Sequence, residues 1–286
     1  MRVVVISGRS GSGKSTALQA LEDVGFYCID NLPATLLPAL VEQMLNEQNN
    51  APLIAVSIDA RNQHADLKAF PDIMQSLRAR TDIGIEITYL DASEATLLKR
   101  YSATRRKHPL SNQDIGLEEA IAFERDLLEP IASSADMRVD TTRLSLYELR
   151  DTIKLRVAQR KEQALSLQFE SFGFKHGVPL DVDFSFDVRV LPNPYWFVEL
   201  RPLTGKDEPV KQFLSASDEV NEMIKDIEQF IVKWIPHFKT NNRSYVTVGI
   251  GCTGGQHRSV FIAESLATRF ADRMDNIQVR HRELSE

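Results

Sequence analysis

The chain has 286 residues, 34 of them basic and 40 acidic, for a net charge of −6, and 43% are apolar. That length suggests two domains, and the balance excludes a disordered chain and a generally basic nucleic-acid binder, though not a local basic patch. No apolar run reaches the roughly 18 residues of a membrane span, and the run after Arg2 is too short for a signal peptide. Cys28 and Cys252 lie in different halves, which suggests neither a disulfide framework nor a cysteine metal site, so a soluble cytoplasmic protein is the expectation.

In the first half, short apolar runs alternate with helical patterns, the signature of βαβ units and a parallel sheet. Strands are expected at 2–7, 26–29, 53–58, 85–90 and 137–139. A helix is expected from about 146 to 161, because Ser145 and Glu148 are spaced as a capping box and Leu146, Leu149, Ile153 and Val157 share one face. The polar stretch 159–163 then divides the chain into domains 1–161 and 162–286. In the second half Phe184, Phe186, Val188 and Val190 alternate as a strand with one buried face. Pro192, Pro194, Pro202 and Pro209 mark a long loop, of the kind that often carries function. A helix follows, with Val220, Met223, Ile224, Ile227, Phe230, Ile231 and Trp234 as its core stripe and Pro236 as its expected stop. The lone His237 reads as a hydrogen-bonded structural side chain.

Gly8-Arg9-Ser10-Gly11-Ser12-Gly13-Lys14-Ser15 fits G-x-x-x-x-G-K-[ST] in full, between an apolar run and a helical pattern. Glycines let successive main-chain N–H groups turn toward phosphate oxygens, and the helix start adds its positive end. Lys14 is expected to reach the β- and γ-phosphates of a nucleotide, and the Ser15 hydroxyl to ligate Mg²⁺. The metal also needs a carboxylate at a neighbouring strand end; Asp59 is favoured, with Asp30 and Asp91 as competitors. Lys14 and Asp59 are thus the catalytic candidates. The basic run Lys99-Arg100 to Arg105-Arg106-Lys107-His108 reads either as an arginine lid, as in small P-loop kinases, or as a solvated helix end.

A second strand, glycine loop and helix follow at 245–270, with Thr253, His257, Arg258 and Ser259 as loop donors, which suits a phosphorylated ligand. Cys252 to Arg258 also fits C-x-x-G-x-x-R, the loop of cysteine-dependent phosphatases, with Gly251 where those enzymes usually carry histidine. Lys175, His176, Asn241, Asn242, Arg243 and Ser244 are further candidates for that pocket.

These stretches, with Gly25 to Pro33, Ser57 to Asn62, Glu170 to Gly177 and Leu191 to Pro194, resemble the RapZ-type RNase adapter proteins, also called the YvcJ-type P-loop nucleotide-binding family, over essentially the whole chain. The resemblance implies an α/β fold: a P-loop kinase-like N-terminal domain with a parallel sheet, and a smaller C-terminal α/β domain with the second anion loop. It implies binding and slow hydrolysis of ATP and GTP. Residues 8–15 match the ATP loop, and Asp59, Ala60, Arg61 and Asn62 match the stretch assigned to GTP. It implies delivery of a small regulatory RNA to RNase E and sensing of glucosamine-6-phosphate, an amino-sugar phosphate. The matching ligand positions are Lys175, His176, Asn241, Arg243, Ser244, Cys252, Thr253, Gly254, His257 and Arg258.

Enterobacterial members end in a lysine- and arginine-rich tail that helps hold RNA. Here the chain ends Val279-Arg280-His281-Arg282-Glu283-Leu284-Ser285-Glu286, which leaves Arg280 and Arg282 as the RNA-binding candidates. Tyr195 stands where the enterobacterial ligand site has histidine. From Lys239 onward there are seven basic and five acidic residues, net +2, which leaves −8 for the rest and mildly favours an anionic partner. A homo-oligomer is expected on general grounds. A small-molecule kinase with Arg105 and Arg106 as lid residues, and a phosphatase using Cys252, stay open as other readings.

Overall fold

In the computed structural model, residues 1–46, 53–104, 107–158, 165–240, 243 and 245–284 are described. The chain forms two compact units, Met1–Gln159 and Arg160–Glu286. The expected domain limits, 161 and 162, lie outside the described residues.

The first unit runs β1 (Arg2–Gly8), α1 (Lys14–Glu22), β2 (Tyr27–Ile29), α2 (Leu37–Asn46), β3 (Leu53–Ser57), α3 (His64–Arg78), β4 (Gly84–Asp91), α4 (Glu94–Thr104), α5 (Leu117–Ser133), β5 (Met137–Asp140) and α6 (Leu146–Ile153). Its five strands are parallel in the order β2-β3-β1-β4-β5. Val3, Val4, Val5 and Ile6 of β1 are completely buried, because a central parallel strand is covered on both faces and so reads as a continuous apolar run. The centre of the sheet thus delivers the glycine loop at its C-terminal edge, where open α/β sheets bind ligands.

The Ser145–Glu148 capping box forms, with Ser145 N–H donating to Glu148 Oε2 at 2.6 Å and Glu148 N–H to Ser145 Oγ at 3.2 Å. Leu149, Ile153 and Val157 are buried, but Leu146, expected on the same face, is 66% exposed. It is the first helical residue, one turn before the face that meets α1. The α-helix itself ends at Ile153, and one wider π-helical turn carries the chain to Ala158. The rest of the expected helix lies outside the described residues.

The second unit runs β6 (Ser166–Gly173), β7 (Phe184–Asp187), α7 (Glu208–Ser215), α8 (Asp218–Thr240), β8 (Tyr245–Cys252), α9 (Arg258–Ala271) and β9 (Ile277–His281), in a parallel sheet ordered β7-β8-β6-β9. β6 is buried throughout although it carries Gln168, Glu170 and Ser171.

Three expectations here need correction. β7 stops at Asp187, so Val190 leaves the alternation and is 78% exposed. Trp234 is 39% exposed at the edge of the α8 stripe rather than in the core. Pro236 does not end α8, which continues to Thr240; proline removes one N–H donor, and Thr240 Oγ1 donates back to the Pro236 carbonyl. His237 is exposed, its ring 5.2 Å from that of Trp234.

Candidate functional site

β1 hands the chain to the first loop at Gly8, which takes φ +143° beside β4. A Cβ there would lie 2.0 Å from the Leu90 carbonyl oxygen, so only glycine fits. Gly13, at φ +109°, lies against Leu149 of α6, whose Cδ2 would be 2.5 Å from an added Cβ. Between the two, the N–H groups of Gly11 and Gly13 donate no hydrogen bond among the described residues. Ser12 Oγ is buried without a partner as well. Such a row of unmet donors is what an anion satisfies.

Lys14 opens α1, and its Nζ donates to the carbonyls of Gly8 (2.8 Å) and Arg9 (3.3 Å), with Asp59 Oδ2 at 3.9 Å. Burial lowers its pKa below the usual lysine value, against the opposing charge of Asp59. Asp59 is itself buried. Burial alone would raise its carboxyl, but the Arg61 hydrogen bonds and the Lys14 charge hold it below the usual carboxylate range. Arg61 grips it through Nε (3.0 Å) and a terminal nitrogen (2.8 Å). The next residues are structural: Ala60 is buried, and Asn62 Oδ1 accepts Ala34 N–H at 2.7 Å. Ser15 is exposed on the first turn of α1. Of the competing carboxylates, Asp91 accepts from Arg9 Nε (2.7 Å) and Ala92 N–H (2.7 Å), while Asp30 receives the Ser57 hydroxyl and lies 3.6 Å from Arg61. Asp59 is the one beside Lys14.

Arg9 points inward, away from any ligand face. It is 3% exposed, bridges Asp91 and the Ala92 carbonyl, and leaves one terminal nitrogen without a partner. Ser10 is held by Glu124 of α5, whose carboxylate accepts its N–H (2.8 Å) and its hydroxyl (2.6 Å). His108 Nε2 reaches the same carboxylate at 3.1 Å while its Nδ1 accepts Leu110 N–H, so the Nε2 proton points at Glu124. Arg100 donates to the Gly11 carbonyl (2.9 Å) and to Thr141 Oγ1 (3.0 Å), and Thr141 in turn donates to the Ser12 carbonyl (2.9 Å).

Glu124, Thr141 and the loop-bound role of Arg100 were not legible as site features. Glu124 did leave a signal: it is a carboxylate at the helical spacing of the buried Ala120, Ile121, Leu127 and Leu128. Arg105 and Arg106 lie outside the described residues.

The second loop joins β8 to α9. Cys252 ends the strand, buried, with Gly255 N–H donating to its sulfur at 3.2 Å and Ser259 Oγ also at 3.2 Å. Arg258 is buried; one terminal nitrogen donates to the carbonyls of Arg189 (2.7 Å) and Leu191 (2.9 Å), and the other lies 3.4 Å from Thr253 Oγ1. His257 Nε2 meets the Leu200 carbonyl at 3.1 Å, and burial lowers its pKa so that it is neutral at pH 7. Gly205 N–H donates to the Gln256 carbonyl. The proline-rich segment thus wraps this loop.

Lys175 belongs here, since its N–H donates to the Thr253 carbonyl and its Nζ lies 3.9 Å from a Cβ built on Gly254. Both Lys175 and the adjacent His176 are exposed.

Arg243 does not belong with these residues. It precedes β8, whereas Cys252 ends it, and at about 3.3 Å per residue the two lie well over 20 Å apart along the strand. Its guanidinium instead pairs with Asp183. Asn241, Asn242 and Ser244 lie outside the described residues.

Arg280 and Arg282, expected on RNA, are also corrected. Both turn into the unit and share the carboxylates of Glu170 (3.2 Å from each) and Asp181 (3.5 and 3.6 Å). Their side chains are 18% and 7% exposed. An arginine bound this way has little surface left for a phosphate.

Comparison with known proteins follows the same division. A RapZ-like N-terminal domain model matches residues 1–161, and a RapZ C-terminal domain model matches residues 165–285. The chain belongs to the RapZ-like family. RapZ-like relatives include a protein of Hahella chejuensis, 54% identical over all of both chains, and one of Pseudomonas fluorescens, 55% identical over all of both chains; each is described as a nucleotide-binding protein. Among solved structures, the shikimate kinase of Acinetobacter baumannii with shikimate shares 14% identity at a TM-score of 0.37, over 56% of this RapZ-like chain and 95% of that one. No helix among the described residues is long and apolar enough to cross a membrane.

Proposed function

We propose that this RapZ-like chain is a regulatory nucleotide-binding protein. It binds ATP or GTP at residues 8–15 and hydrolyses it slowly. The observation that carries this is the Gly8–Ser15 cradle itself: unmet N–H groups at Gly11 and Gly13, an unpartnered Ser12 hydroxyl and a buried Lys14 ammonium converge on one loop. Ser15 and Asp59 are the residues that would hold Mg²⁺, which neutralises charge on the terminal phosphates. Asp59 has a second task whether or not metal is present, because its charge offsets the desolvation of Lys14.

Family membership extends the proposal to a small regulatory RNA, RNase E and glucosamine-6-phosphate as partners, and to a homo-oligomer in the cytoplasm. The second loop supports the sugar-phosphate part, since Thr253, Lys175 and the loop N–H groups lie together at one strand end. The RNA contacts fall to cations other than Arg280 and Arg282.

Two measurements test this. Lys14→Ala is expected to lower ATP and GTP affinity in calorimetry and to abolish hydrolysis; unchanged values sink the assignment. RNA binding is expected to weaken steeply with salt. No binding at low salt removes RNA from the proposal and leaves the nucleotide site standing.

A further inference from the structure

The second loop is built for more than holding an anion. Cys252 is 3% exposed; the Gly255 N–H donates to its sulfur, and the Ser259 hydroxyl lies 3.2 Å from it. Arg258, six residues after Cys252, is only 4% exposed, yet its Nε has no hydrogen-bond partner. Burial lowers its pKa, and the charge of Asp187 opposes that.

The N–H groups of Thr253, Gly254, Gln256 and His257 donate to nothing among the described residues. The fourteen-residue α9 begins at Arg258 and turns its positive end to the same place. A run of free N–H groups of this kind suits a tetrahedral anion.

Gly251 departs from the phosphatase pattern for a packing reason. A Cβ at that position would sit 2.5 Å from Phe174 Cε2 and 2.6 Å from Phe172 Cζ, so the aromatic pair fills the space a histidine would need. The departure leaves the sulfur, the Gly255 N–H, Ser259 and the arginine in place.

We propose that residues 251–259 form a phosphomonoester-cleaving site with Cys252 as the nucleophile. The inference rests on reading this loop as a phosphate site and adds a covalent step to it. The sulfur attacks phosphorus, an S–P bond forms, and the P–O bond to the alcohol breaks with its electron pair leaving on oxygen. The Cys252 proton passes to water, and the oxygen leaves as its anion and takes a proton from solvent. Water then attacks phosphorus, the S–P electron pair returns to sulfur with one water proton, and inorganic phosphate is released. Ser259 acts in this second step by hydrogen-bonding the departing sulfur.

The leaving group is restricted by Asp187, which pairs with Gly251 across β7 and β8. The Arg189 hydrogen bonds hold its carboxyl below the usual range, so at neutral pH it has no proton to give. The substrates are therefore phosphomonoesters whose oxygen leaves readily, aryl and anomeric sugar phosphates before those of simple alcohols.

The test uses the full chain with p-nitrophenyl phosphate in the presence of EDTA. Wild type is expected to release p-nitrophenolate, and Cys252→Ser to lose about a hundredfold or more of that rate. Acid-quenched Ser259→Ala is expected to carry one phosphoryl group on the peptide that contains Cys252. Equal release by Cys252→Ser, or release by wild type with no phosphoryl group trapped on that peptide in either protein, overturns the mechanism; the trap on wild type does not depend on either variant folding. Hydrogen exchange of the loop peptide with and without inorganic phosphate separates the two levels. Phosphate protection without release overturns the covalent step alone. No protection overturns the phosphate-site reading with it.

Discussion

Replacing Arg280 and Arg282 together by methionine is expected to destabilise the C-terminal unit, whatever it does to RNA. Each guanidinium lies 3.2 Å from a Glu170 oxygen and about as close to Asp181, and those carboxylates are 0% and 1% exposed. Gln168 Nε2 adds one donor to Glu170 at 2.9 Å, a neutral amide that does not replace a guanidinium's charge. Breaking a buried pair from one side costs about 3–5 kcal/mol, against a total of about 5–15 for a domain. Methionine keeps most of the side-chain volume, so the loss reports charge rather than a cavity.

Urea is the right denaturant because it does not screen ion pairs. Trp196 and Trp234 are the two tryptophans, and both lie in this unit, so fluorescence follows it alone. With a slope of about 1–3 kcal/mol/M, the midpoint should fall by 1 M or more. Adding Glu170→Gln and Asp181→Asn should recover part of the loss, because removing both sides of a buried pair is far cheaper than removing one. A midpoint within about 0.2 M of wild type refutes the ion-pair account. So does a quadruple variant no more stable than the double. Loss of RNA binding in the double variant is informative only where this unit is still folded.

Gly8→Ala places a methyl group against the Leu90 carbonyl at φ +143° and should cost at least about 1–3 kcal/mol from the backbone alone, seen as lost hydrogen-exchange protection in β1 and β4. Nucleotide affinity should be highest below the lowered Lys14 pKa and fall as pH rises through it, because only the ammonium form attracts phosphate. Lys14→Arg, which stays charged, should remove that alkaline limb in a calorimetric pH series; a limb that persists assigns it to another group. Glu124→Gln and Ser10→Ala should each destabilise the first unit by about 1–3 kcal/mol in thermal unfolding, and the double variant should cost less than their sum. Additive losses would mean that the two residues do not act through one bond.

The glycine-lysine-serine loop was legible because everything it needs is local. Strand, loop and helix follow one another, and the whole pattern lies within eight residues, although the crowding that demands glycine at Gly8 comes from Leu90 of β4. The loop at 251–259 was legible for the same reason. Val190 and Trp234 were misplaced because periodicity shows which residues share a face but not where packing against that face stops.

What surrounds each loop was hidden, because the partners come from distant segments. Glu124 reaches Ser10 across 114 positions, and Arg280 reaches Glu170 across 110. A terminal arginine reads as a free cation until β9 is seen to pair with β6 beside a buried carboxylate. Arg243 and Cys252 sit close in sequence, yet the length of β8 carries them to opposite ends of the sheet. Short-range spacing therefore determined the two glycine loops and the α/β order. The choice of which charges face a ligand and which neutralise one another belongs to the tertiary structure, because it depends on desolvation, and a side chain loses its water only when distant strands close over it.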